Sequence, residues 1–320
     1  MSEEKKQEIF ELIIIGGGPA GVTAGVYAAR KKLKTLILTK DWGGQSVVSD
    51  IIENWIGEIE IKGFELAKKL ENHIKHYAND TDFIVKDFQE VKKVSESQEE
   101  KGLFEVETLF GEKFLTKVVL IASGSKRRKL TVPGAKKFEH KGLTYCASCD
   151  GPLFTDKDVV VIGGGNSGFE SASQLLAYAK SVTLLHRGEE FRAEPTMVEN
   201  VLANEKMTGI LNADITEVYG DDFVQGVKYK DLKTSEIKDL KVSGVFVEIG
   251  AIPATDFIEE GLVEKNKYNY IVVNHKTMQT SKEGIWAAGD CNDGIYKQNS
   301  ISIGDGTKAI EDIYVHLKAK

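Results

Sequence analysis

Apolar patterning begins with ELIIIGGGPAG (Glu11 to Gly21), a β-branched run that ends in a glycine cluster and passes into the helical pattern TAGVYAARK. VVVIGGGNSG (Val159 to Gly168) has the same layout and leads into FESASQLLAYAK. Each helical pattern is followed by another apolar strand, TLILT (Thr35 to Thr39) and SVTLLHR (Ser181 to Arg187). The two stretches predict two βαβ units, each the start of a dinucleotide-binding fold. FELAKKLENHIKHY reads as an amphipathic helix, and residues 83–120 as a meander of strands ending in VVLIASG (Val118 to Gly124). Residues 208–250 repeat that plan and end in VFVEIG (Val245 to Gly250). A last strand, IWAAGD (Ile285 to Asp290), and a helix from about Ser302 close the chain. Boundary signals fall at SGSKRRKLTVPG, with Pro133 and a basic run, and at GAIPAT, with Pro253. The predicted class is therefore α/β with two Rossmann-like dinucleotide-binding domains, the second (residues 125–250) inserted into the first (residues 1–124 and 251–320).

Length agrees: 320 residues are enough for two domains, each with its own core. The net charge of −7 argues against nucleic acid as a partner, because phosphate binding calls for a basic face. No apolar run approaches the roughly 20 residues needed to span a bilayer, and the opening MSEEKKQEIF is charged throughout, with no apolar signal core. A cytoplasmic protein without membrane contact is expected. The only cysteines are Cys146, Cys149 and Cys291, too few for a structural disulfide framework in a reducing compartment.

Three motifs carry chemistry. Gly16, Gly18 and Gly21 form G-x-G-x-x-G between strand and helix. The first allows the tight turn, the second lets the backbone approach a diphosphate, and the third lets helix pack on strand; the diphosphate then sits at the positive helix end. The acid that usually ends the next strand to hold the ribose is missing, and Thr39-Lys40 stands there. Gly163, Gly165 and Gly168 form the second fingerprint, followed at its strand end by His186-Arg187-Gly188-Glu189-Glu190-Phe191-Arg192. There Arg187 and Arg192 are the candidates to grip a phosphate, while Glu189 and Glu190 oppose it, and a solvated loop without ligand contact is the plain alternative. The third motif is Cys146-Ala-Ser-Cys149-Asp150, a pair that can close and open a small disulfide ring, with Asp150 as a proton shuttle. A zinc half-site is disfavoured because no second cysteine pair exists and the nearest histidine is His140. Inert buried thiols are the other alternative. Cys291 reads as a free buried cysteine, and His73 with His76 as a solvated helix face.

Two fingerprints plus one Cys-x-x-Cys-Asp are far more specific together than apart. Carried by GGGPAG, VYAAR, GGQ, ENWIG, IASG, YCASCDGPLF, VIGGGNSG, HRGEEFRAE and WAAGD, the chain closely resembles the low-molecular-weight thioredoxin reductases over essentially its whole length. The resemblance implies FAD along Gly16, Gly18, Gly21, Gln45 and Asn54, with Asp290 on the ribitol and Gln298 near the same cofactor. It implies that Cys149 faces the flavin, that Cys146 attacks the disulfide of thioredoxin or a thioredoxin-like partner, and that Asp150 is the acid/base. A homodimer, and a rotation of the inserted domain about links near Ser125 and Ala251, are further implications. The chain departs from the family's His-Arg-Arg-x-x-x-Arg pattern at Gly188, carries Gly168 where NADPH-using members usually have alanine, and has Lys297-Gln298-Asn299 in place of Arg-Gln-Ala. The donor is thus NADPH or NADH. YCASCDGPLF and GGGNSG are also similar to the NADH-using flavoprotein subunit of alkyl hydroperoxide reductase, whose extra N-terminal domains have no room before a first strand starting at about residue 10. The competing expectations are an NADH oxidase or peroxiredoxin-system reductase, a ferredoxin- or flavodoxin-linked thioredoxin reductase, and a non-catalytic redox sensor.

Overall fold

The computed structural model describes residues 8–49 and 51–318; the charged residues 1–7, read above for the lack of a signal core, lie outside them. The chain starts with β1 (Ile9–Gly17), α1 (Pro19–Arg30) and β2 (Thr35–Trp42). After a 3₁₀ turn at Gly44–Val48 come α2 (Gly63–Lys75), β3 (Phe83–Lys86), β4 (Val91–Glu96), β5 (Phe104–Thr108) and β6 (Lys113–Ile121). Strands β3-β2-β1-β6 run parallel, and β5 and β4 extend the sheet antiparallel. Leu12, Ile13 and Ile14 of β1 and Leu36 and Ile37 of β2 are fully buried, as an internal parallel strand covered on both faces requires.

A short strand, β7 (Ser125–Arg127), leads out of this unit. The second unit, Arg127–Ala251, contains α3 (Ala135–Phe138), β8 (Leu143–Thr144), α4 (Ala147–Asp150), β9 (Asp158–Ile162), α5 (Asn166–Leu176), β10 (Ser181–Leu185), α6 (Pro195–Leu202) and β11 (Met207–Ile210). It continues through β12 (Ala213–Gly220), β13 (Val224–Asp231), β14 (Ile237–Lys241) and β15 (Gly244–Val247). Its main sheet is parallel in the order β11-β10-β9-β15-β8, and β12–β14 form a separate antiparallel sheet. Then β16 (Ala251–Pro253) pairs with β7, and the first unit resumes at Ile252. It is completed by β17 (Ile285–Ala287), which lies parallel to the C-terminal half of β6, and by α7 (Asn299–Lys318).

Helix starts lie upstream of where apolar periodicity begins. Proline occupies the first turn of α1, where a missing N–H costs nothing, and α7 begins at Asn299, three residues before Ser302. Each unit has its own core: Trp286 is fully buried in the first and donates from Nε1 to Asp312 Oδ2 at 2.9 Å, while Phe169 and Phe246 are fully buried in the second. Among the described residues, no helix is long and apolar enough to cross a membrane.

Candidate functional site

Both glycine fingerprints lie where strand order reverses: β1 has β2 on one side and β6 on the other, and β9 has β10 and β15. The crevice beyond the C-terminal ends of such strands is where open α/β sheets take ligands. Gly16 (φ +120°) leaves no room for a side chain, since a Cβ would stand 2.2 Å from the Ala122 carbonyl oxygen, and a Cβ on Gly21 would meet Gly16 O at 2.0 Å. The second unit repeats this: a Cβ on Gly163 (φ +127°) would stand 2.1 Å from Glu248 O, and one on Gly168 1.9 Å from Gly163 O. By contrast the middle glycines face open space. Nothing stands nearer to a Cβ on Gly18 than Gly44 Cα at 4.0 Å, and nothing lies within 4 Å of one on Gly165. These two glycines are the N-caps of α1 and α5; neither helix has a side-chain cap or an acid in its first turn, so the leading N–H groups are left to an anion. An open cradle with free donors fits a dinucleotide diphosphate in both units.

In the first unit the returning segment supplies more side chains. Asn54 Nδ2 donates to Gln298 Oε1 at 3.0 Å, Ser46 Oγ donates to Asn299 Oδ1 at 2.8 Å, and Gln45 Nε2 donates to Ser125 O at 3.1 Å. Asp290 accepts from Ser125 Oγ at 3.4 Å. Burial pushes its carboxyl above the usual range, while Lys297 and the Ser125 and Ser302 hydroxyls pull the other way. Burial likewise holds the Lys297 ammonium below its ordinary value against the pull of Asp290; Lys297 donates to Asn292 O at 2.7 Å and lies over the Tyr270 ring at 4.6 Å. Gly16, Gly18, Gly21, Gln45, Asn54, Asp290 and Gln298 thus all belong to this unit. At the end of β2, Thr39 donates to Asp41 O at 2.5 Å, and Lys40 pairs with Glu90 at 2.8 Å.

In the second unit Arg187 and Arg192 are exposed on the loop after β10, and Arg192 N–H donates to Gly164 O at 2.7 Å. His186 is buried beneath them. Its Nε2 has no hydrogen-bond partner, and a Cβ on Gly188 would stand 2.6 Å from that atom. Burial, then the Arg192 charge, lowers the His186 pKa and keeps the ring neutral. A side chain at position 188 would therefore require the His186 ring to turn aside. Below the fingerprint, Glu248, with a side chain 1% exposed, pairs with Arg127 and accepts from Ser171 Oγ at 2.7 Å. The sequence reading passed over this pair. An acid inside the otherwise apolar VFVEIG was the available signal.

The same unit holds the cysteines. Cys146 and Cys149 are joined as a disulfide across α4. Cys146 caps α4, and its Sγ accepts from Cys149 N–H at 3.1 Å. Cys149 is exposed and Cys146 half-buried. Asp150 N–H donates to Cys146 O at 3.2 Å. Thr144, at the end of β8, donates from Oγ1 to Asp150 Oδ2 and accepts from Cys146 N–H at 3.3 Å. No spacing rule singles out Thr144, and sequence reasoning missed it. Cys291, in the first unit, is fully buried; its thiol is pushed up to about 11 by burial and donates to the Ile121 and Ala288 carbonyls, both at 3.4 Å.

Comparison with known proteins places this geometry. The pyridine nucleotide-disulphide oxidoreductase family matches residues 10–306. A protein named NADH dehydrogenase from Bacillus subtilis (strain 168) is 40% identical over 316 residues, covering 99% of this chain and 60% of its own length. The chain thus spans about three fifths of that curated relative. Thioredoxin reductase from Mycolicibacterium smegmatis is 38% identical over 308 residues, 96% of either chain. The crystal structure of Lactococcus lactis thioredoxin reductase superposes with a TM-score of 0.90 at 32% identity, covering 97% of this chain and 100% of that one.

Proposed function

The chain belongs to the pyridine nucleotide-disulphide oxidoreductase family, and from that premise we propose that it is a thioredoxin reductase-like flavoenzyme. It moves electrons from NADPH or NADH through FAD and the Cys146–Cys149 disulfide to thioredoxin or a similar small redox protein. The observation that carries the reading is the disulfide itself: a three-residue-spaced pair with one exposed sulfur and a carboxylate at the end of the same turn, in the unit that also carries the second fingerprint.

Gly16, Gly18 and Gly21, the first turn of α1, Gln45, Asn54, Asp290 and Gln298 would hold FAD; Gly163, Gly165, Gly168, Arg187 and Arg192 would hold the nicotinamide dinucleotide. When bound, FAD supplies two-electron acceptance from the nicotinamide and delivery to the disulfide. The chain's own residues do the rest. In the dithiol form Cys146 gives its proton to Asp150 and its thiolate attacks one sulfur of the partner's disulfide; the S–S bond breaks and the leaving partner thiolate takes the proton back from Asp150. Cys149 then gives its proton to Asp150 and attacks Cys146 Sγ, which reforms the internal disulfide; the second partner thiolate leaves and takes that proton, so the partner departs as a dithiol. The N–H of Cys149 already points at Cys146 Sγ, and a donor to the charged form favours the thiolate there. Such a cycle needs a reducing compartment, and we assign it to the cytoplasm. Ile56, Ile59, Ile295 and Tyr296 are 88, 93, 86 and 71% exposed on two segments joined through Asn54 and Gln298. A second copy of the chain is the partner assigned to this apolar surface.

A second reading, an NADH oxidase or peroxiredoxin-system reductase using the same cysteines, is favoured by one observation: Gly188 and buried His186 leave the adenosine end with one arginine fewer than a 2′-phosphate site normally has. Anaerobic addition of each nicotinamide to the purified protein, followed by oxidised thioredoxin, tests both. Bleaching of bound flavin, preserved in Cys149→Ser while thioredoxin reduction falls by about 10³-fold or more, is the expected result. Full thioredoxin reduction by Cys149→Ser, or a protein that binds no flavin, would sink the proposal.

A further inference from the structure

We propose that Thr144 is a positioning residue for proton transfer at the cysteine pair, joining the backbone of Cys146 to the carboxylate of Asp150 through one hydroxyl. The inference rests on the proposed dithiol chemistry. A threonine hydroxyl has one proton to give. Here it goes to Asp150 Oδ2, while the oxygen receives the Cys146 N–H at 3.3 Å. Thr144 is buried and in register with Phe246 of β15, so its hydroxyl is fixed by a parallel sheet. Asp150 by contrast ends a four-residue helix, and its side chain is otherwise free to turn about two torsions. The bond has two consequences. It holds Oδ2 as an acceptor, so that Oδ1 is the oxygen left to take and give the proton. It also couples the carboxylate to the nucleophile: any shift of Cys146 during mixed-disulfide formation is passed through its N–H to the group that must protonate the leaving thiolate. Protons balance in the cycle, since the two that leave the enzyme's thiols end on the partner's sulfurs and Asp150 carries them one at a time.

The test compares Thr144→Val, which keeps the branched shape and removes both hydrogen bonds, with Thr144→Ser, which restores the hydroxyl. Thr144→Val is expected to lower kcat for thioredoxin reduction by about tenfold or more with KM unchanged. Thr144→Ser should recover the rate. In an Asp150→Asn background the same Val substitution should cost less than about twofold, since the group it positions no longer transfers protons. A second readout needs neither partner nor flavin: the rate of iodoacetamide alkylation of the dithiothreitol-reduced pair at fixed pH, which should fall in Thr144→Val and recover in Thr144→Ser. An unchanged kcat and alkylation rate in Thr144→Val, or an undiminished loss in the Asp150→Asn background, would overturn the inference. A wild-type protein that fails to reduce thioredoxin would instead count against the proposed function, and the alkylation rate would still decide the role of Thr144.

Discussion

The first and second units carry the same βαβ start with the same glycine spacing, yet they offer a ligand very different surroundings. In both, the first glycine is forced by a carbonyl of the neighbouring strand, Ala122 or Glu248, and the third by the first glycine's own carbonyl. They differ in what surrounds the crevice. The first unit adds a whole returning segment, in which β17 lies beside β6 and α7 packs so tightly on α1 that a Cβ on Gly306 would stand 2.4 Å from Ala20 O. Here Asn54 is hydrogen-bonded to Gln298, and Gln45 and Asp290 both bond Ser125. The second unit has no such addition: Arg187 and Arg192 are exposed, and the buried Arg127–Glu248–Ser171 network lies under the turn. Many converging partners suit a cofactor that stays, and a few exposed cations suit a co-substrate that leaves every cycle. The same motif is thus surrounded differently in the two units, as the proposed division between FAD and the nicotinamide requires.

The sharpest way to break this comparison is to spoil each turn in the same manner. Valine at either first glycine is doubly disfavoured, by a positive φ and by a backbone atom closer than any Cβ tolerates. Gly16→Val should purify without flavin, lose about 10³-fold or more in every nicotinamide-driven activity, and unfold several degrees lower. Gly163→Val should keep its flavin and lose about 10²-fold in kcat/KM for the nicotinamide, a loss of roughly 3 kcal/mol in transition-state binding. Absorbance of the purified proteins and steady-state kinetics are enough to check this. Loss of flavin from Gly163→Val would mean the two crevices do not divide the work as argued.

A smaller effect concerns the donor. Arg187 and Arg192 are the cations available to a 2′-phosphate, and Glu189 and Glu190 flank them. Alanine at both positions should raise KM for NADPH about tenfold, the worth of one charge-assisted contact, and change KM for NADH by less than about twofold. Equal effects on both nicotinamides would reassign the pair to the diphosphate. Gly188→Arg, the substitution that family resemblance suggests for restoring NADPH binding, should lower KM for NADPH about tenfold once the His186 ring turns aside to admit the new Cβ, and leave KM for NADH within about twofold.

Much of this was legible in the sequence because glycines and apolar runs constrain backbones in a way that spacing records. The βαβ units, the return of the first unit near Ala251 and the cysteine turn are all local patterns. The residues that escaped are those whose roles depend on meetings between distant positions. Thr144 matters through a carboxylate six residues on, and Arg127 through an acid at Glu248. The separate β12–β14 sheet was likewise hidden: its strands alternate much as β4–β6 do, and only packing decides that β4 and β5 extend the main sheet while β12–β14 stand alone.

The smallest prediction isolates the buried His186 of the second unit. His186 occupies the place in the second unit that Thr39 occupies in the first, so a pH effect on folding from this strand end belongs to one unit only. Burial and the nearby arginines lower its pKa from 6.5, so the folded state favours the neutral ring and the unfolded state binds the proton more readily. The stability it contributes is complete above the unfolded value and is lost as pH falls below it, with a limiting slope of about 1.4 kcal/mol per pH unit for one proton. Melting temperature followed from pH 8 to about pH 5 should therefore fall more steeply for the wild type than for His186→Gln, which cannot take up that proton. Parallel curves would show instead that the ring is protonated as easily in the fold as outside it.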